Sequence, residues 1–253
     1  MTVFTIATVL ILSFLARFNF FRIPHKGILI LLYHRIGEVS THTTLDKFSV
    51  SKKQFEKQMV MLKKMGYKSI SPKEIDNIIQ NKLYTKNRFV LVTFDDGYKD
   101  NIDAAKILHK HSMSGLFFII TSLIGKQYNG VDMLSEKDLK NMVSLGMHLG
   151  SHSKNHIKLS EINKTEAEND IKESIQYLNK FESIGDFAYP YGNFNQNIIE
   201  ILKNLKIRRA YIIGQRIFRP KKDNRLKIPR AIIRKNTNLI DFYLIATRGR
   251  SKF

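Results

Sequence analysis

Two carboxylates stand side by side at Asp95-Asp96, directly after the apolar run Arg88 to Phe94 (RFVLVTF), and His152 and His156 follow Gly150-Ser151 with three residues between them. Adjacent carboxylates can divide two tasks: one ligates a cation while its neighbour, accepting hydrogen bonds, serves as a base. Asp-Asp-Gly is also a good turn, so the pair alone supports either reading. Two imidazoles at the His152/His156 spacing come to one side of a helical turn or compact loop, which suits a metal. With one carboxylate they make a two-His, one-carboxylate set, leaving open positions for water and a substrate oxygen on zinc or another divalent ion. The rival reading is two histidines placed at the surface or in the core for packing. A third polar cluster, Pro190-Tyr191-Gly192, follows the strand-like Asp186 to Tyr189. The 253 residues contain no cysteine. A thiol nucleophile, a disulfide scaffold and a Cys-based zinc module are therefore excluded, and any metal must sit on His and carboxylate.

The elements that must position these residues alternate. Gly27 to Tyr33 is a continuous apolar run, the pattern of a strand covered on both faces, and it ends at His34. Lys52 to Met65 repeats Phe55, Met59, Leu62 and Met65 at helical spacing behind Ser51 as N-cap, with Gly66 as the stop. Strands are expected at Tyr67 to Ile70, Arg88 to Phe94, Gly115 to Ile120, Met147 to Gly150 and Asp186 to Tyr189. Helices are expected from Ser71-Pro72, at Ile102 to His109, at Glu136 to Leu145 and at Lys164 to Phe181. Alternation of this kind predicts a parallel sheet with helices outside, open or closed into a barrel. Both architectures gather function at the C-terminal ends of the strands, where all three polar clusters lie.

Thr93-Phe94-Asp95-Asp96-Gly97, Gly150-Ser151-His152-Ser153-Lys154-Asn155-His156 and Phe187-Ala188-Tyr189-Pro190-Tyr191-Gly192 resemble, in order and spacing, the first three motifs of the polysaccharide deacetylases, carbohydrate esterase family 4. The resemblance spans residues 28 to 235. It implies an α/β fold, a distorted (β/α) barrel, and a metal-dependent hydrolase that removes N-acetyl groups from amino sugars. By the same resemblance Asp95 matches the general base; Asp96, His152 and His156 match the metal ligands; and Tyr191 matches the residue whose backbone N–H helps hold the oxyanion. The implied cofactor is a divalent ion, zinc first, with cobalt or nickel as alternatives. Pro190 and Arg230 are assigned to substrate binding.

The chain departs from the family in its later part. The family's usual acid is a histidine in a late Leu-x-His motif, but no histidine follows His156, and the chain has no tryptophan for an Asp-x-x-Asp-Trp motif. His34, in Leu31-Leu32-Tyr33-His34-Arg35, would reach the same rim if this early strand took the late strand's place. Such permuted order resembles the poly-N-acetylglucosamine deacetylase subgroup and makes His34 the candidate acid. Ala188 stands where an arginine is commonly found beside the base, and Arg230 in Lys227-Ile228-Pro229-Arg230 is the candidate to orient Asp95 in its place. His25, His42, His109, His111 and His148 are read as structural.

Thr2 to Ala16 carries no charge and, with Phe18, Phe20 and Phe21, approaches the ~20 apolar residues a bilayer crossing needs. Residues 1–22 are therefore expected to be a single uncleaved N-terminal span in the cell (inner) membrane, and residues 23–253 the catalytic domain with a basic C-terminal part. Arg17, Arg22, Lys26 and Arg35 after the span favour a cytoplasmic domain. Formal charge is +20, and from Lys203 onward 16 Lys and Arg face only Asp223 and Asp241. Anionic lipid headgroups or a phosphate-bearing substrate would be drawn to that stretch. Nucleic acid is a poor candidate, with no finger, RNP-like or helix-turn-helix signature. The expected substrate is an N-acetylated sugar of a cell-surface polysaccharide or of its lipid-linked precursor. The rivals are a catalytically silent carbohydrate-binding relative at the membrane and a basic membrane-peripheral adaptor.

Overall fold

The computed structural model describes residues 3–17, 26–37, 46–183 and 185–251. In chain order the elements are α1 (Val3–Arg17), β1 (Ile28–Tyr33), β2 (Arg35–Ile36), β3 (Ser49–Val50), α2 (Lys52–Lys64), β4 (Tyr67–Ser69), α3 (Ile75–Gln80), β5 (Arg88–Phe94), α4 (Asn101–Lys110), β6 (Gly115–Ile119) and β7 (Gln127–Tyr128). There follow β8 (Val131–Asp132), α5 (Glu136–Ser144), β9 (His148–Ser151), α6 (Lys164–Leu178), β10 (Asp186–Ala188), α7 (Gln196–Asn204), β11 (Arg209–Ile213), β12 (Ile228–Ile232) and α8 (Leu239–Arg248). The expected strands and helices stand within one to three residues of their anticipated bounds. Local chemistry starts the helices: Ser51 Oγ accepts from Gln54 N at 3.2 Å, and Ser71 with Glu74 closes a capping box.

The sheet closes. Strands run β1-β12-β11-β10-β9-β6-β5 and return to β1, every pairing parallel, a ring of seven. β4 adds to one edge of β5, pairing with Arg88–Val90 while β6 pairs with Val92–Phe94 on the same edge. One strand thus holds two partners in succession along a single edge, and this distorts the barrel. Because β1 pairs with both β5 and β12, the first strand closes the ring between the strand that leads to Asp95 and the strand of Arg230.

Period-two alternation decides what faces inward. Ile28, Ile30, Phe89, Leu91, Leu116, Phe118, Tyr211 and Ile228 fill the barrel, while Leu29, Leu31, Val90, Val92, Phe94 and Phe117 pack outward against the helices. Continuing each inward series one or two steps toward the C-terminal rim reaches His34, Asp95, Arg230 and His152. The rim residues are therefore the next layer of the same core, polar where the lower layers are apolar. Gly150 is required beneath His152, because a Cβ there would lie 2.7 Å from the Phe118 ring.

The N-terminal helix corrects one expectation. It is apolar and 15 residues long, with Val3, Phe4, Leu10 and Ile11 exposed. At 1.5 Å per residue it spans about 22 Å, short of the ~30 Å hydrocarbon core. No described helix is long and apolar enough to cross a membrane, so the structure overturns the membrane-spanning segment and the inner-membrane placement built on it. Phe18, Phe20 and Phe21, which extended the apolar run in the sequence, lie outside the described residues, as do His25 and His42.

Candidate active site

The rim is built from five strands, β1, β5, β9, β10 and β12. β5 runs into Asp95 and Asp96, and Asp96 (φ 74°) and Gly97 (φ 84°) both take the left-handed conformation. The chain reverses there, so two adjacent carboxylates are presented side by side. β9 runs into a loop in which Ser153 (φ 63°) and His156 (φ 53°) are left-handed, and after β10 Tyr191 (φ 57°) is too. Such positions cost about 1–2 kcal/mol each outside glycine. Their concentration around one point marks a place where geometry is held against local preference.

At that point Asp96, His152 and His156 each offer a ligand atom within 4.8 Å of the others, and this triad is buried or nearly so. His152 Nε2 lies 3.5 Å and His156 Nε2 3.4 Å from Asp96 Oδ1. His152 Nδ1 is 2.8 Å from the Ala188 carbonyl, an acceptor only, so Nδ1 carries a proton, and in the neutral ring Nε2 turns its lone pair to the cluster. A carbonyl that fixes the tautomer in this way is the usual support of a metal-binding histidine. Burial and the neighbouring His152 charge push the His156 imidazole down to about 4, which keeps it neutral as a ligand must be. His152 is lowered by burial but raised further by Asp95 and Asp96, for a net upward shift. Two imidazole nitrogens and one carboxylate oxygen, preset and mostly dry, fit a divalent transition ion.

Asp95 is held from the other side. Arg230, 1% exposed, donates Nη1 to Asp95 Oδ1 at 2.6 Å and Nη2 to Oδ2 at 2.7 Å, a two-pronged pair. Nη1 also reaches Thr93 Oγ1 at 3.3 Å, and the guanidinium stands 5.3 Å from the Phe118 ring centre. Burial pushes the Asp95 carboxyl up, but the charges of Arg230 and His152 outweigh it and hold Asp95 below the usual carboxylate range. Arg230, assigned to substrate binding or to orienting Asp95, is thus spent on Asp95 beneath the surface. His34 follows β1 at the register where Tyr33 pairs Phe94, and Asp95 N donates to Tyr33 O at 3.0 Å. Its ring stacks on Phe48 at 4.8 Å between centroids; burial lowers its pKa while Asp96 and Asp95 pull it up. Asn101 Nδ2 holds the His34 carbonyl at 2.7 Å, and Asp100 accepts from Arg35 Nε at 2.9 Å. Pro190 is buried in the turn, and Tyr191, 56% exposed, puts its ring 4.5 Å from that of His156.

Two supports of the site were not anticipated. Asp170, 5% exposed on α6, accepts from Lys154 N (2.8 Å), Asn155 N (3.1 Å) and Asn155 Nδ2 (2.7 Å), gripping the loop that carries both histidines. Its signal was present: Ala167, Asp170, Ile171, Ser174 and Leu178 form the buried stripe of α6, and an acid within such a stripe demands a partner. The other support is the β7–β8 hairpin, turned by Asn129 (φ 51°) and Gly130 (φ 74°), which sets Tyr128 edge-on to His156 at 6.4 Å. The remaining described histidines lie elsewhere. His109 Nδ1 meets the Leu145 carbonyl at 3.1 Å, His111 pairs with Glu56, and His148 is half-buried at the opposite end of β9.

The family model for polysaccharide deacetylases matches residues 82–210, about half of the chain. The chain belongs to the polysaccharide deacetylase family. Among curated proteins, a putative polysaccharide deacetylase, YxkH of Bacillus subtilis, is 29% identical over 174 residues, covering 68% of this chain but only 59% of its own length. The poly-beta-1,6-N-acetyl-D-glucosamine N-deacetylase of Staphylococcus aureus strain MRSA252 is 28% identical over 228 residues, covering 81% of this chain and 78% of that protein. Among solved structures, the Streptococcus pyogenes deacetylase PplD in complex with acetate superposes with a TM-score of 0.78 at 26% identity, covering 89% of this chain and 99% of the other. The closed ring with its polar upper layer is therefore a polysaccharide deacetylase barrel.

Proposed function

We propose that this deacetylase removes N-acetyl groups from N-acetylglucosamine units of a cell-surface polysaccharide, and that it does so with a divalent ion held by Asp96, His152 and His156. The observation that carries the reading is the division of labour between adjacent carboxylates: Asp96 faces two imidazole nitrogens, while Asp95 is clamped by Arg230. The name of the Staphylococcus aureus relatives points to a β-1,6-linked polymer in preference to the lipid-linked precursor.

A zinc, cobalt or nickel ion in that triad would supply positive charge that polarises a carbonyl oxygen and acidifies water. Asp95, ionised at neutral pH, takes the proton from the attacking water. Arg230 keeps both Asp95 oxygens oriented, so the base need not reorganise as it accepts that proton. Tyr191 offers its backbone N–H to the amide oxygen as charge develops on it, and Pro190 fixes the turn that aims this N–H. His34 delivers a proton to the departing nitrogen. Burial makes protonated His34 a stronger acid, and the two carboxylates keep its protonated form accessible. The products are acetate and a free amine.

The test follows acetate release by the full chain from β-1,6 and β-1,4 N-acetylglucosamine oligomers, with a chelator and with each metal restored. Release should require metal, prefer the β-1,6 oligomer and fall about 10²–10⁴-fold in Asp95→Asn. Unchanged turnover in Asp95→Asn would remove the base assignment, and metal binding without any release would favour the silent carbohydrate-binding reading.

A further inference from the structure

At the end of the barrel opposite Asp95, the chain entering β1, β4 and β5 surrounds a cavity of about 450 Å³. Its wall is cationic and aromatic. Lys26 and Gly27 precede β1, Lys86 and Asn87 precede β5, and Arg88 begins β5; Tyr67, Tyr84 and Tyr243 complete the sides, Arg248 closes α8, and Leu29 and Ile217 lie at the base. Among the described residues no carboxylate lines the cavity, and Lys26, Lys86 and Arg88 form no salt bridge with a described carboxylate.

Some of the cations elsewhere on the surface are paired. Lys52, Lys99, Lys110, Lys154, Lys180 and Arg225 each sit on an Asp or Glu. Helix C-termini account for part of the positive charge at this end, since cations offset the negative end of a helix dipole. Arg88 Nη1 meets the Met65 carbonyl after α2 at 3.0 Å, and Arg248 is in the last turn of α8. Lys26 belongs to no helix, and Lys86 caps only the single 3-10 turn Leu83–Thr85, whose dipole is small, so that explanation does not account for them. Like charges gathered around one concavity repel unless an anion joins them, and a concave wall focuses the field on whatever enters. Arginine and lysine donors match phosphate, and tyrosine rings flank a compact organic body. The volume lies in the range of small-molecule sites.

We infer that this cavity is a second ligand site that takes a phosphate monoester with a sugar-sized body, separate from the deacetylation rim. The inference stands on the opposite end of the barrel and does not depend on the reaction proposed above. Phosphate engages Lys26, Lys86 and Arg88, while the organic body lies among Tyr67, Tyr84 and Tyr243.

Glucose 6-phosphate is the probe, titrated calorimetrically into the full-length, zinc-loaded protein beside inorganic phosphate and glucose. Saturable binding of glucose 6-phosphate, stronger than that of either fragment, is expected. Lys86→Glu, on an exposed side chain, and Arg88→Glu should each weaken it about tenfold or more, the scale of one charge-assisted hydrogen bond, with acetate release unchanged. His152→Ala should bind the probe as the parent does. Loss of binding in His152→Ala would place the phosphate at the rim and overturn the inference. So would inorganic phosphate binding as tightly as the sugar phosphate, an absence of binding at millimolar probe, or displacement of the probe by a short single-stranded oligonucleotide at lower concentration.

Discussion

Replacing Asp170 by alanine isolates the contribution of loop support, because its carboxylate hydrogen-bonds to none of Asp96, His152 and His156. It accepts three hydrogen bonds from Lys154 and Asn155, at 2.7 to 3.1 Å. Bonds to a charged acceptor contribute about 1.5–3 kcal/mol each, but three on one carboxylate are not additive, and about 3 kcal/mol is a sensible total. The loop they hold keeps Ser153 and His156 left-handed, so part of that energy opposes backbone strain. Without it the loop relaxes and His156 leaves the position 3.4 Å from Asp96. Outer supports of metal ligands typically change affinity 10–100-fold. Asp170→Ala should therefore bind zinc 10–100-fold more weakly in competition with a chromophoric chelator, with acetate release recovering when zinc is raised. Asp170→Asn should fare little better, because its amide places a donor against the donors of Asn155. If Asp170→Ala loses stability to urea yet binds zinc within twofold of the parent, then Asp170 serves packing alone and the coupling argued here is refuted.

Arg230→Met removes both clamps on a buried carboxylate, so the Asp95 pKa should rise. The acidic limb of the kcat/KM profile should climb with it, Arg230→Lys falling between, and an unmoved limb would sever Arg230 from the base. His34→Gln should keep full metal stoichiometry while kcat drops about 10²–10⁴-fold; a fully active variant would end the assignment of His34 as acid. At the lower end of the barrel Asp186 accepts from Arg209 Nε at 2.9 Å and from Tyr211 at 3.2 Å, and burial, only partly countered by Arg209, pushes its carboxyl up to about 6. Since the folded pKa exceeds the unfolded value near 3.9, this group's stabilisation is complete below about pH 4 and is lost as pH rises through 6, roughly 3 kcal/mol in all. Arg209→Leu leaves that acid buried and unpaired, at a cost of about 3–5 kcal/mol at pH 7.5 that should shrink at pH 5 in urea unfolding; an equal deficit at both pH values would contradict the buried-carboxylate account.

What could be read in the sequence follows from which contacts are local. The strands were visible because both faces of β1 and β5 are buried, which turns them into unbroken apolar runs, and because each polar cluster sits one step beyond such a run. The clasp of Arg230 on Asp95 spans 135 residues, and no periodicity encodes it. Its basis is topological. Only when β1 pairs with both β5 and β12 do the inward series of those strands end within reach of one another. The same closure explains how His34, the earliest of the site residues, comes to stand with residues from three later strands. The membrane expectation failed for the opposite reason: apolar composition was counted where a span is set by helical length, and no described helix is long enough. Asp170 lies between these extremes. Its helix was evident, yet the partner of a buried acid is knowable only once α6 lies against the loop after β9, and it is there that a surface-like residue becomes part of the site.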